Sequence, residues 1–176
     1  MASKGILVKL AKGFVSTPMV SLGVVSEKAS LGVVITASHY PPKYNGYKIK
    51  GDVGVPLLPV DITGVENKIP DANSVDYNAV SMQDLVAEGK VIYVDLEEMY
   101  CKHAKANFDL EAIRNSDMNF AYDAMFGSGM NVVKRLLPEA TLLHCDDNPG
   151  FLGTAPEPIH RNLQEFSDLM KNNALD

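Results

Sequence analysis

A serine, a histidine and a lysine with the chemistry for group transfer lie in one segment, residues 38–48. The run before it, residues 32–36, is apolar or β-branched and predicts a buried strand, whereas the Pro/Gly-punctuated sequence after it cannot continue as regular structure. Ligands of α/β proteins bind beyond the carboxyl ends of strands. Ser38 and His39 therefore lie where we expect chemistry, although a serine without activating neighbours is inert and usually structural.

The sequence around Ser38 resembles the phosphoserine loop of the α-D-phosphohexomutases, the phosphoglucomutase and phosphomannomutase superfamily. That loop reads Thr-Ala-Ser-His-Asn-Pro and is followed by Tyr-Asn-Gly and a lysine. This chain has Thr36-Ala37-Ser38-His39-Tyr40-Pro41, followed by Tyr44-Asn45-Gly46-Tyr47-Lys48. Tyr40, where the family has asparagine, is the one departure within the motif.

The resemblance implies that Ser38 carries a phosphoryl group. In that family the serine gives the group to one hydroxyl of a sugar monophosphate, and it recovers a phosphoryl group from the other phosphate after the bisphosphate reorients. The lysine at the place of Lys48 looks like a general acid/base or a phosphate contact. His39, Thr17 and Asn45 are expected to lie near the substrate phosphate. Without the resemblance, Lys48 reads as an exposed loop lysine.

The resemblance also implies Mg²⁺ as a cofactor of the full-length family. Those enzymes hold the ion with an Asp-x-Asp-x-Asp-Arg loop and a phosphoserine oxygen, so Ser38 would be a metal ligand through its phosphate only. The Asp-x-Asp-x-Asp-Arg loop is absent from this sequence, and the pair Asp146-Asp147 has the wrong spacing. The remaining histidines have no paired spacing and are interpreted as ordinary polar residues; they are His103, His144 and His160.

Composition and charge exclude several classes of protein. At 176 residues and 46% hydrophobic composition the chain can bury a core. A net charge of -6 and the lack of a basic run argue against binding nucleic acid. No apolar stretch reaches transmembrane length. Cys101 and Cys145 form neither a CxxC motif nor a disulfide framework, which predicts free thiols in a reducing compartment, with the cytoplasm as the default.

The first half of the chain predicts a strand, a helix and a strand. Residues 6–10 read as a strand, and Thr17 followed by Pro18 predicts a capped helix that runs to about Ser30. If the strand at 33–36 is parallel to the first strand, the two form a βαβ unit, and the Thr17 turn lies near Ser38. An edge strand is expected within 53–60, and a short helix at 82–88 capped by Ser81.

The second half predicts helices at 96–107 and 109–115 and then a second βαβ unit. Its parts are a strand at 119–122, a helix at 130–137 and a strand at 141–144. The turn at 127–129 reads as an anion site or a tight turn. The resemblance favours the turn, because Asp123, Met125, Gly127 and Gly129 match structural positions of the family. Further matches are Phe151, Gly153, Pro156-Glu157-Pro158 and Asn162-Leu163.

Together these observations predict an α/β fold of two βαβ-containing three-layer units with mixed or mostly parallel sheets, truncated relative to the family. Residues 1–89 are expected to be the later part of phosphohexomutase domain I, and residues 90–176 most of domain II. The first hypothesis is a hexose phosphate mutase that is inactive as this isolated fragment. The alternative is a non-catalytic module that binds sugar phosphates, self-associates or docks on a complementary chain.

Overall fold

Strands and helices alternate along much of the chain. The computed structural model describes residues 1–72, 76 and 79–172. Its strands are β1 (Val8–Ala11), β2 (Leu31–Thr36), β3 (Gly46–Gly51), β4 (Val91–Val94), β5 (Ala121–Asp123) and β6 (Thr141–Leu143). Its α-helices are α1 (Thr17–Ser26), α2 (Pro59–Glu66), α3 (Met82–Ala87), α4 (Leu96–Asn107), α5 (Leu110–Arg114), α6 (Met130–Leu136) and α7 (Gln164–Lys171). No helix in these ranges is both long and apolar enough to cross a membrane.

The strands pair two by two. β1 pairs in parallel with β4, with Val8 opposite Val91, and β5 pairs in parallel with β6, with Asp123 opposite Leu143. β2 and β3 form an antiparallel hairpin in which Val34 lies opposite Lys48. The predicted α/β fold with mostly parallel sheets is therefore confirmed.

The predicted pairing of the first unit is wrong. The strand at the start of the chain does not pair with β2; it pairs with β4, while β2 pairs with β3. The strand-helix-strand pattern can be read from neighbouring residues, whereas strand pairing joins residues that are far apart in the sequence. The turn-rich loop after β2 reverses the chain, so β3 pairs with β2 in the antiparallel direction. β4 lies beyond the expected boundary near Gly89 and pairs back onto β1, and the boundary itself stays a prediction.

The expected edge strand at 53–60 is also wrong. Only an isolated bridge between Lys50 and Pro56 forms there, and α2 begins at Pro59. Proline cannot donate a ladder hydrogen bond, yet it suits the first turn of a helix. The β-branched residues of this stretch suggested a strand, and the prolines override them.

The ends of helix α1 are set by backbone conformation and backbone hydrogen bonds, with no capping side chain. Ser16 is the N-cap residue, but no side chain caps the helix, so the predicted Thr17 cap is wrong and Thr17 and Pro18 are its first two residues. The helix ends at Ser26 because Lys28 adopts a left-handed conformation with φ 49°. Ala29 N then donates to Val24 O and Lys28 N to Val25 O, the Schellman pattern of a helix end.

The buried core joins the two halves of the chain. Met19 of α1, Cys101 of α4 and Val132 of α6 form one buried cluster. Gly23 permits the close approach of α1 to α4, because a Cβ atom there would lie 2.7 Å from Leu96 Cδ2. A glycine usually weakens a helix, but here it allows close packing.

Candidate functional site

Ser38 lies just past the end of β2 and is exposed. Its φ is 56°, in the left-handed region that non-glycine residues seldom adopt. Two bonds hold this turn: Ser38 N donates to Thr36 Oγ1 at 3.0 Å, and Tyr40 N donates to Ala37 O at 3.0 Å. The hydroxyl is therefore accessible at the mouth of the hairpin and not buried in the core.

The imidazole of His39 lies beside the Ser38 hydroxyl. Ser38 Oγ and His39 Nδ1 are 3.2 Å apart, a hydrogen bond whose donor depends on the tautomer. In an extended loop His39 would point away from Ser38, but the left-handed Ser38 turns the chain and brings the imidazole beside the hydroxyl. An imidazole at this distance can accept the serine proton or return one.

Tyr40, the departure from the family motif, has a packing role. Its ring stacks on His39 with centroids 4.9 Å apart, and the Tyr44 ring centroid lies 6.0 Å from that of Tyr40. Lys43 Nζ lies 5.6 Å from the Tyr44 ring centroid. The His39 ring is therefore packed against Tyr40.

Lys48 lies on β3 and is exposed. Residues directly opposite in an antiparallel pair share a face, so Lys48 projects on the same face as Val34. That face packs on α1, since a Cβ atom at Gly32 would overlap with Val24 Cγ2. The Lys48 ammonium makes no hydrogen bond or ion pair with any residue that the structure describes, so it is available to a ligand.

Thr17 and Asn45 make no direct hydrogen bond with Ser38 among the contacts of the described residues. Thr17 is the first residue of α1 and is half-buried. Asn45 lies in the loop directly before β3 and is exposed. Their predicted place near the substrate phosphate stays a prediction.

The described residues do not assemble a magnesium site. Among residues 1–72, 76 and 79–172, no group of three His, Cys, Asp or Glu side chains is placed to hold a metal ion. The groups bonded around Ser38 are an imidazole nitrogen and the Thr36 hydroxyl, whereas Mg²⁺ prefers carboxylate and water oxygens. These residues do not by themselves fit the ion, and no step of the proposed chemistry passes through it.

Two family models match nearly all of the chain. Residues 1–76 match phosphoglucomutase/phosphomannomutase, alpha/beta/alpha domain I, and residues 98–176 match alpha/beta/alpha domain II of the same family. The chain belongs to the phosphoglucomutase/phosphomannomutase family. The domain I match precedes the domain II match along the chain.

Relatives and solved structures of this family support the assignment. A phosphoglucosamine mutase of Methanococcus maripaludis is 32% identical over 167 residues, which are 90% of this chain and 34% of that protein. A phosphoglucomutase of Neisseria meningitidis is 30% identical, over 91% of this chain and 33% of its own length. A crystal structure from Thermus thermophilus, classed provisionally as a phosphomannomutase, superposes with a TM-score of 0.82 at 31% identity, covering 96% of this chain and 38% of its own. The chain thus spans about a third of the length of these family members.

The second family domain contains an ordered pair that the sequence reasoning missed. His144, interpreted as an ordinary polar residue, places Nδ1 2.9 Å from Oδ1 of Asp123. Asp123 ends β5, and His144 directly follows β6, its parallel partner. The signal available in the sequence was that an acid and a histidine each lie at the carboxyl end of predicted neighbouring strands. Close packing beside them requires a glycine at position 129, because Tyr122 Oη occupies the space where a side chain would begin. The choice between a tight turn and an anion site at 127–129 stays a prediction.

Proposed function

We propose that this chain is the phosphoserine-bearing part of a mutase that interconverts hexose 1-phosphate and hexose 6-phosphate. The observation that supports this best is the exposed Ser38 hydroxyl beyond β2, with His39 Nδ1 3.2 Å away. Phosphoryl transfer depends mainly on positioning and on stabilising charge. An accessible hydroxyl with an ordered imidazole beside it meets the first of these needs.

Each half-reaction moves one phosphoryl group. The P–O bond to Ser38 Oγ breaks while a P–O bond forms to the free sugar hydroxyl, which loses its proton as Ser38 Oγ gains one. In our proposal His39 exchanges the serine proton, and Lys48 acts on the sugar hydroxyl as general acid/base or contacts its phosphate. After the bisphosphate reorients, the second half-reaction returns the other phosphoryl group to Ser38 in the same way.

The charge of the loop favours an anionic ligand. Residues 36–50 contain Lys43, Lys48 and Lys50 and no aspartate or glutamate, although the whole chain has a net charge of -6. A locally positive segment in an acidic protein attracts phosphate esters. The resemblance also implies Mg²⁺, to which this chain would contribute the Ser38 phosphate.

We further propose that the 176-residue chain alone turns over negligibly. It spans 34% of the length of the M. maripaludis relative, and its sequence lacks the Asp-x-Asp-x-Asp-Arg loop. Free thiols at Cys101 and Cys145 suit the reducing cytoplasm that we propose as its location. Measurable mutase activity of the purified chain on glucose 1-phosphate or mannose 1-phosphate would contradict this part of the proposal.

A second candidate is a non-catalytic module that binds sugar phosphates or docks on another chain. The outer face of the β2–β3 hairpin favours it, because Leu31, Ile35 and Tyr47 project on that face and are 46%, 69% and 58% exposed. Exposed contiguous apolar faces commonly mark interaction surfaces. Tight hexose phosphate binding without Mg²⁺, and without phosphate transfer, would favour this module.

The deciding experiment is phosphate transfer to the purified chain. Incubation with glucose 1,6-bisphosphate and Mg²⁺ is expected to add the mass of one phosphate, mapped to Ser38 by peptide mass spectrometry. Ser38→Ala should abolish the addition. Ser30→Ala is the matched control, because Ser30 is an exposed serine at the opposite end of the same strand, and it should leave the addition unchanged. Equal phosphate addition to the Ser38→Ala chain would overturn the assignment.

A further inference from the structure

A tight turn after β2 presents Ser38 and His39 together. Tyr40 N donates to Ala37 O at 3.0 Å, which closes a four-residue turn with Ser38 and His39 at its two central positions. The left-handed φ of Ser38, 56°, turns the chain, so the imidazole lies beside the hydroxyl and not opposite to it, as it would in a strand. The backbone of the turn makes this contact possible, but it leaves the His39 side chain free to rotate.

The ring of Tyr40 covers one face of the His39 imidazole. The two ring centroids are 4.9 Å apart, and the ring planes are inclined by 21°, which is a stacked arrangement. Tyr40 therefore contacts the turn twice, through its backbone N–H at Ala37 and through its ring at His39. The phosphohexomutase motif that this sequence resembles has asparagine at this position, and asparagine has no ring to stack.

The stack is matched to the contact between His39 and Ser38. His39 is exposed, and an exposed side chain exchanges among staggered rotamers within nanoseconds. The rotamer that stacks on Tyr40 is also the one that places Nδ1 3.2 Å from Ser38 Oγ. Because a stacked ring pair favours its own arrangement by a factor of roughly 2 to 10, the stack also favours the hydrogen bond to the serine.

A second aromatic ring supports Tyr40 from within the same loop. The Tyr44 ring centroid lies 6.0 Å from that of Tyr40, with the ring planes inclined by 49°, a favourable geometry for an aromatic pair. Tyr44 N donates to Pro41 O at 3.1 Å, and the fixed φ of the prolines at 41 and 42 restricts the backbone between the two tyrosines. The Tyr40 ring is 57% exposed, so contacts within the loop hold it in place.

We propose that Tyr40 is a positioning residue whose ring holds the His39 imidazole against the Ser38 hydroxyl and thereby speeds proton exchange at Ser38. No bond changes at Tyr40. His39 Nδ1 accepts the serine proton when a P–O bond forms to Ser38 Oγ, and it returns that proton when the bond breaks. The effect on proton exchange rests on the proposed mutase function, whereas the position of the imidazole does not.

The position of the imidazole is tested by ¹⁵N NMR of the His39 ring in the full chain, without any phosphate compound. Ser38→Ala should change the His39 Nδ1 signal, because it removes the hydrogen-bond partner. In a Tyr40→Ala background the same replacement should change that signal by roughly half as much or less. In a Tyr40→Phe background, which keeps the ring, the full change should return. Equal changes in all three backgrounds, or no change in the first, would overturn the proposal.

The rate of phosphate addition to Ser38 is the second readout. With glucose 1,6-bisphosphate and Mg²⁺, Tyr40→Ala and Tyr40→Asn should each slow the addition by a factor of roughly 2 to 10, and Tyr40→Phe should match wild type. Tyr47→Ala is the matched control, because Tyr47 is 58% exposed on β3, and it should also match wild type.

The two readouts separate this inference from the proposed function. An unchanged rate in Tyr40→Ala, or a rate in Tyr40→Phe as slow as in Tyr40→Ala, would overturn the role of the ring in phosphoryl transfer. If wild type itself gains no phosphate, the proposed function and the rate effect both fail. The NMR comparison then still decides whether Tyr40 holds the imidazole at Ser38.

Discussion

A residue in the left-handed conformation follows the end of β2 and another follows the end of β6, and the two have different effects. Beyond β2, the left-handed Ser38 turns an exposed hydroxyl against His39 Nδ1 at 3.2 Å. Beyond β6, the left-handed His144 turns its own ring against the buried Asp123 at 2.9 Å. The Ser38 and His39 pair is exposed to solvent, whereas the His144 ring is held by a buried carboxylate. The comparison shows that the burial of one partner distinguishes a pair that holds its ring in place from an accessible pair.

The largest test of this contrast removes the buried carboxylate. Asp123→Ala should lower the free energy of unfolding by about 3 kcal/mol, because it strips a buried partner from His144 and from Met125 N. Urea denaturation followed by circular dichroism measures the loss. Asp146→Ala, at an exposed acid just after Cys145, is the control and should stay within about 0.5 kcal/mol of wild type. A loss below about 1 kcal/mol for Asp123→Ala would remove the distinction between the two regions.

A smaller loss of stability is expected at Gly54, where the chain that follows the β2–β3 hairpin packs on α1. Gly54 has φ 79°, and a Cβ atom there would lie 2.5 Å from the backbone oxygen of Ser21 in α1. Gly54→Ala should therefore cost about 2 kcal/mol of unfolding free energy. Gly13→Ala, where a Cβ atom meets nothing within 4 Å, should cost little. Equal stability of the two variants would show that the hairpin is not held on α1 at this point.

The stabilising effect of the Asp95 cap at the start of α4 depends on pH. Asp95 accepts from Glu98 N at the start of α4 and pairs with Lys12 at 3.3 Å, and in that order these contacts hold the pKa of the Asp95 carboxyl below its ordinary value. Because the folded-state pKa is lowered, the stabilisation is present above pH 3.8, the ordinary value, and is lost as pH falls through the lowered pKa. Asp95→Ala should cost about 1 kcal/mol at pH 7. The difference from wild type should shrink in acid unfolding curves recorded below pH 3.8, and a constant difference would contradict the cap.

The smallest change in stability is expected at the exposed pair of Ser38 and His39. Ser38→Ala and His39→Asn should each change the free energy of unfolding by no more than about 0.5 kcal/mol, since both side chains are exposed. Thermal melts at matched concentration measure this. A loss above about 1.5 kcal/mol, a magnitude typical of buried changes, would mean that the Ser38 pair holds the fold as the Asp123 pair does.

Local elements followed from the sequence more closely than their pairing did. The helix predicted at 96–107 is α4, and the second βαβ unit forms close to its predicted bounds. Helices are set by apolar periodicity and by capping residues, which act over a few residues and can be recognised in the sequence. Ser81, whose hydroxyl accepts from Asp84 N, is one such cap. The partner of β1 is a strand far along the chain, and nothing in residues 6–10 specifies it.

For the same reason, the sequence predicts only part of the candidate site. The motif located Ser38 and Lys48, and strand alternation placed Lys48 on the α1 face once its register with Val34 was known. The turn of His39 toward Ser38 depends on a left-handed serine, which sequence patterns do not mark. The Asp123 and His144 contact depends on the parallel register of two short strands, a fact of tertiary structure.

The cluster of Met19, Cys101 and Val132 has a consequence for how the protein melts. Its members come from α1 in the first domain match and from α4 and α6 in the second, so they share one interior. Unfolding of one half would expose buried side chains of the other half to water. Calorimetry should therefore record a single endotherm, with the two halves behaving as one cooperative body.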